Sequence, residues 1–327
     1  MVRLVCLLAW LPASLFSQSL NDLYQAGAGP IPEKILSGRS FVFVSPGFTE
    51  KEIQTLHTGF IKTGIDAIGY SEVDKLFAGF DITQAFVKHF QSREVTILIF
   101  ALKINQVYEL IISTFESADG VNGPTLIIPG SVWKTQNKVL DEIMQTLHRT
   151  ALTGRQKQNL LINEVPETDL PIRVITGNRR ELFAYDLKVD VLAVQKFGDE
   201  KQDRELEEIM KSYPFKYQLV DPKIPETELR KQGLLYVLRH IHTRGPAAKQ
   251  LLGYDVSMGE GALVSVTYPN GLEQIKTIPA DVEIHKFYVR QIEFEHVFLG
   301  PKWDADTTWQ QALQNFIKGL RSEMKVN

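Results

Sequence analysis

Apolar positions along the chain fall into short blocks whose period switches between two and about 3.6, with breakers between them. Ser40 to Ser45 reads as a buried strand. Thr49-x-x-Glu52 is a capping box, in which hydroxyl and carboxylate each satisfy an N–H that the first helical turn leaves free. Ile53, Leu56, Phe60 and Ile61 follow at helical spacing. Asp66 to Tyr70 is a short strand, and Asp81-x-x-Gln84 caps a second helix carrying Ala85, Phe86 and Phe90. Thr96 to Leu102, Val107 to Phe115 and Thr125 to Pro129 are then strands in succession. Gly130 and Ser131 open a long amphipathic helix with Val132, Val139, Leu140, Ile143, Leu147 and Ala151 on one face.

The second half repeats this order. Val189 to Phe197 is a strand, and Asp199-x-x-Gln202 caps a helix carrying Leu206, Ile209, Met210 and Tyr213. Lys216 to Val220 is a strand, and Glu226 to Thr243 a helix with Leu234, Val237, Leu238 and Ile241 inward. Ala262 to Tyr268 and Leu272 to Ile278 flank Pro269-Asn270-Gly271, a hairpin turn. His285 to Leu299 is a long strand, and Thr307-x-x-Gln310 caps a last helix carrying Trp309, Ala312, Leu313, Phe316, Ile317 and Leu320. Adjacent strands without an intervening helix cannot all be parallel, so each sheet is mixed. The fold class is α/β (α+β): two tandem modules with mixed sheets, an internal duplication in layout rather than in identity. The expected boundaries are a leader over 1–19, a linker over 20–38, a first module over 39–153, and a second over 154–327. The second begins with a hairpin led by Ile172 to Thr176 and turning at Gly177-Asn178.

The amino terminus adds a compartment. Arg3 precedes an apolar run from Leu4 to Phe16, too short for the span of about 20 residues that crosses a bilayer, and small residues follow at Ser17 and Ser19. This is the layout of a secretory signal peptide. Cys6, the one cysteine, lies inside it, so the mature chain has no thiol, no disulfide and no lipid-anchoring cysteine. With no Asn-x-Ser/Thr sequon either, the expected location is bacterial, periplasmic or secreted, with no transmembrane segment after processing. The chain has 327 residues, 44% hydrophobic and 23% charged, and a net charge of −3, which gives nucleic acid no basic footprint. The element order of each half, with the export signal, resembles the periplasmic α/β module at the amino terminus of TolB and related envelope lipoproteins. That resemblance implies an envelope protein that binds partners and has no catalytic site.

Chemistry-bearing motifs are sparse. There is no Gly-x-Ser-x-Gly elbow, no phosphate-binding Gly-x-x-x-x-Gly-Lys-Ser/Thr loop and no His-Glu-x-x-His, so no cofactor is expected. Ser131 reads as a helix cap. Asp304-Ala305-Asp306-Thr307 has the spacing of aspartate-dependent phosphatases, but Gly300 to Trp303 separates it from the strand, and helix capping accounts for it. His240 and His242, placed on a helix, diverge and share no metal. Arg179, Arg180, Arg239 and Arg244 are candidates for an anion site, and Trp133, Trp303 and Trp309 for an interface. The best polar constellation is Asp281, Glu283 and His285, which an extended backbone puts on one face where they are candidates for a metal or an acid–base pair; an exposed polar sheet face accounts for them more simply. The leading expectation is a non-catalytic binding or scaffolding protein whose partner is another envelope protein. The alternatives are a two-lobed small-ligand receptor and a metal-dependent enzyme using the strand-borne face.

Overall fold

The computed structural model describes residues 20–326, apart from 121–122, 169–171, 173, 256–261 and 270. The leader read over residues 1–19 lies outside the described residues.

The first module consists of α1 (Leu20–Gln25), β1 (Gly27–Ala28), a 3-10 turn (Glu33–Leu36), β2 (Arg39–Val44), α2 (Glu50–Thr63), β3 (Asp66–Glu72), α3 (Val73–Leu76), α4 (Phe80–Ser92), β4 (Val95–Ile104), β5 (Val107–Thr114), β6 (Glu116–Gly120), β7 (Gly123–Ile127), β8 (Ser131–Asn137) and α5 (Leu140–Leu152). Its six-stranded sheet has the order β1-β8-β5-β4-β2-β3. β3, β2 and β4 run parallel, β5 is antiparallel to both β4 and β8, and β1 is parallel to β8. Strand alternation sends Val42 and Val44 to the face covered by α2 and α5, and Phe41 and Phe43 to the face covered by α4. The Thr49–Glu52 capping box forms as the spacing predicts.

Two readings in this half change. Residues 20–38 are not a separate linker: Leu23, Ile31, Ile35 and Leu36 are buried and β1 is an edge strand, so the glycines and prolines shape a short, tightly turned start to the module. The helix expected from Gly130 begins only at Leu140; Ser131–Asn137 is β8, with Val132 and Trp133 pointing to opposite cores.

The second module consists of β9 (Arg179–Arg180), a 3-10 turn (Tyr185–Lys188), β10 (Leu192–Gln195), α6 (Glu200–Met210), β11 (Tyr217–Val220), α7 (Glu226–Lys231), β12 (Tyr236–Arg244), α8 (Gly245–Leu251), β13 (Ala262–Thr267), β14 (Gln274–Pro279), β15 (Glu283–Gln291), β16 (Val297–Phe298) and α9 (Trp309–Glu323). The helix expected over Glu226 to Thr243 ends at Lys231, Gly233 takes φ +81° as the chain leaves it, and the rest is β12, a central strand. The long strand expected from His285 to Leu299 ends at Gln291 and returns as β16. The hairpin expected at Gly177-Asn178 is instead β9, parallel to β16. The β13–β14 hairpin forms as read, with Asn270 of its turn outside the described residues.

The second sheet has the order β11-β10-β12-β15-β16-β9, with β11, β10 and β12 parallel, β15 antiparallel to β12 and β16, and β9 parallel to β16. Strand for strand, in chain order and direction, this is the first sheet again. Each edge strand β1 or β9 is followed by a 3-10 turn, each first core strand by a helix, and each module ends in a long helix. Val42 and Leu192 are equivalent positions: seven residues after each comes the helix cap, Thr49 or Asp199, and the buried Leu56 and Leu206 follow at matching places. The modules differ in what is inserted, the β6–β7 hairpin in the first and α8 with the β13–β14 hairpin in the second.

Residues of both modules form one buried cluster, in which Phe86, Phe90 and Ile82 of α4 share a core with Ile241, Ile284, Tyr288 and Leu299. The connecting segment lies along the outer edge of β3. Asn163 N–H donates to the Asp66 carboxylate (3.0 Å), and Tyr70 N–H donates to the Glu167 carbonyl (2.9 Å).

Candidate functional site

In each module the chain leaves the first core strand toward one side and returns on the other. The pairs β2/β4 and β10/β12 therefore flank a switch point, whose carboxyl edge is where open α/β sheets receive ligands. The side chains at these two edges decide what the molecule can do.

In the first module the edge is closed by its own residues. Ser45 Oγ accepts from Lys103 N–H at 2.9 Å, and Lys103 Nζ donates to Glu52 Oε1 at 2.7 Å. Glu52 also accepts from Thr49 N–H and from the Tyr108 hydroxyl. Burial pushes the Glu52 carboxyl up, but these donors win and hold it at about 2.

In the second module the edge has two faces. On one, Arg239 donates to Gln195 Oε1 at 2.6 Å and pairs with Glu226, while its Nε lies 3.4 Å from Asp81 of α4. Arg290 donates to both Glu226 oxygens (2.7 and 3.0 Å) and to Glu295, and the Tyr288 hydroxyl donates to Asp81 at 3.0 Å. Arg239 keeps 4% of its side chain exposed, so this is a buried cluster of paired charges joining the modules. Asp81 was expected to cap α4; the cap is Gly79, and the carboxylate turns to the arginines because two buried guanidiniums need a counter-charge.

On the other face stands a histidine stack. His242 and His285 rings lie 3.9 Å apart at 7°, His240 and His285 5.0 Å apart at 6°, and Phe287 continues the stack 4.7 Å beyond His240. His240 Nε2 and His285 Nδ1 share a hydrogen bond of 2.8 Å, and Glu283 lies 3.3 Å from His242. Burial and the neighbouring imidazole of His242 push His285 down to about 3, and burial with both neighbours pushes His240 well below the usual imidazole range. The helix placement had set His240 and His242 apart; on a strand their spacing of two puts them on one face.

Of the expected trio, Glu283 and His285 stay on one face, joined through His242, and Asp281 does not. Asp281 lies in the turn before β15, Glu283 opens the strand, and His285 joins the stack. Parallel stacked rings do not aim their nitrogens at a common point, and among the described residues no group of three or more His, Cys, Asp or Glu is placed to hold a metal ion. The arginines separate as well: Arg244 binds Asp74 (2.6 Å) and Glu72 (2.5 Å), and Arg179 donates to Leu252 O and stacks on Tyr254. Asp304 and Asp306 are not caps. Asp304 is buried against Lys286 Nζ at 2.5 Å, and Asp306 takes Lys276 and Asn315, while Thr308 caps α9. Of the tryptophans, Trp133 is a core residue, Trp303 packs on Tyr254, and Trp309 packs on Phe197. Ser131 is an exposed first residue of β8.

A solvent-open groove of about 820 Å³ lies between α2 and α5, with Lys51, Lys62, His148 and Arg149 on its rim and Gly59 close to Met144 on its floor. The signal that points to β12 in the sequence is Gly233, a helix-ending residue set too early for a helix reaching Thr243.

No protein-family model matches this chain, and no curated protein or solved structure was found similar to it.

Proposed function

We propose that this chain is a non-catalytic binding protein, exported to the bacterial periplasm or beyond, whose two like modules act as one body that engages a protein partner. The observation that carries this reading is the state of the two switch points. The first is filled by Ser45, Glu52 and Lys103, and the second by Arg239, Glu226, Gln195 and Asp81. The same buried charges and the shared apolar cluster occupy the junction where a two-lobed receptor needs a cleft. The stacked histidines favour packing over metal-assisted chemistry. Kinship with the TolB amino-terminal modules belongs to the same proposal and rests on element order.

The test is a thermal-shift screen of the full chain against small metabolites and divalent cations. This reading expects no ligand to raise the melting temperature by more than about 5 °C at saturation. A larger, saturable rise with a small molecule supports the receptor, and one with a metal that also supports hydrolysis supports the enzyme; either ends the proposal. Export is tested separately, by expressing the chain with its own leader in a bacterial host. A mature terminus near Ser17 to Ser19 outside the cytosol is expected, and an intact Met1 in the cytosol removes that part.

A further inference from the structure

The repeat exposes a difference between the two modules at one sheet edge. In a parallel pair, alternate residues of the outer strand direct both N–H and C=O away from the sheet. In β11, the carbonyls of Lys216 and Val220 accept from Leu192 and Lys196 N–H, so Gln218 and Val220 face β10 and Tyr217 and Leu219 face outward. Val42 pairs with Tyr70 and Leu192 with Tyr217, so Tyr70 and Tyr217 are equivalent. Tyr70 N–H donates to the Glu167 carbonyl of the connecting segment. Among the described residues, nothing bonds to the backbone of Tyr217 or Leu219 on the outer side.

The segment on β3 also shows what fits there. Asn163 N–H meets the Asp66 side chain and the Glu167 carbonyl meets the Tyr70 N–H, so the segment runs in the direction of the strand, with a bend at Val165 between the two contacts. Glu167 pairs with Arg93 beside the edge, at 3.8 Å. Lys196, Lys216 and Lys223 are exposed at the ends of β10 and β11, with Asp221 beside them, while Lys211 near Tyr217 is already paired with Glu208.

We propose that the outer edge of β11 is a strand-addition site for an extended, acidic segment of a partner protein, running parallel to β11 and accepting the Tyr217 N–H as Glu167 accepts that of Tyr70. Four residues of edge suit a peptide; a stable dimer of this chain needs a much larger buried area. Lysines at the rim keep the edge from pairing with apolar strands in the meantime. The inference rests on the reading of the protein as a partner-binding one and names the surface.

The experiment uses the full chain, isotopically labelled, and a synthetic peptide of its own residues 159–168, the segment that occupies the equivalent edge and carries Glu164 and Glu167. Saturating peptide is expected to slow amide exchange at Tyr217 and Leu219 about tenfold. Tyr217→Pro, which removes the outward N–H, is expected to abolish the effect, and Lys216→Glu, which keeps the backbone, to weaken it. Unchanged exchange at about 1 mM peptide overturns the proposal. So does protection of both amides without peptide: if it rises with protein concentration, a second copy holds the edge, and if it does not, the chain covers its own edge. A failure here is read at two amides of β11, whereas the broader functional reading fails in the small-ligand screen, so the two are told apart.

Discussion

Lys286 is wholly buried, and its ammonium reaches Asp304 and the carbonyls of Leu299 and Phe287, so each of its three protons has an acceptor. Lys286→Met leaves the Asp304 carboxylate buried alone, and the expected loss is about 3–5 kcal/mol in urea unfolding, partly recovered by adding Asp304→Asn. The histidine stack gives a pH dependence of definite sign. The unfolded chain takes up protons as pH falls through about 6.5, while folded His240 and His285 resist them. Their contribution is whole above that pH and is lost as pH falls toward about 3, the folded value for His285. His57 and His89, held down by burial, act with the same sign, whereas Glu52 adds its loss only below about 4.5. The urea midpoint is therefore expected to fall between about pH 7 and about pH 5, and His285→Phe to remove up to about 2 kcal/mol of that fall. The sequence indicated Glu283 and His285 through strand parity. Their partners come from β12 across the sheet, and a cross-strand contact leaves no mark in local spacing.

Elements were legible where one local rule decided them. The Thr49–Glu52 box, the Asp199 cap, the β13–β14 hairpin and the faces of α4 and α9 follow from spacing. Elements failed where a strand is buried on both sides. β12 is apolar enough on both faces to imitate a helix following α7, and β8 sits directly before α5, so its apolar residues read as that helix's first turn. Gly79 shows what an element boundary can depend on. A Cβ there would lie 2.7 Å from the backbone carbonyl of His240, in the contact that seats α4 on β12. Gly79→Ala is expected to cost about 1–3 kcal/mol by overpacking, read as a lower melting temperature, and alanine is also the poorer residue at a helix N-cap.

At the scale of the molecule, duplication was visible in element order, while the fusion of the copies was not. Order along the chain says nothing of which faces meet, and Asp81, Arg239, Glu226 and Arg290 are spread over α4, β12, α7 and β15. Because this cluster and the apolar residues around it belong to both modules, unfolding is expected as one transition by calorimetry and by fluorescence. Asp81→Ala leaves Arg239 and Arg290 short of a counter-charge at the junction. It is expected to cost about 3–5 kcal/mol and to split the transition in two; an unsplit, unshifted transition would show that the Asp81 pairs do not couple the modules.

The shared core has a consequence for how the protein is made. Its members run from Leu23 to Ala305. A chain synthesised from the amino terminus completes α5 at Leu152 long before Ala305 exists. At roughly 5–20 residues per second, the apolar face beneath α4 waits about eight to thirty seconds for the strands that finish covering it. During that interval the nascent first module is a half-built interface, and whatever attends the emerging chain must shield it until its own second copy arrives.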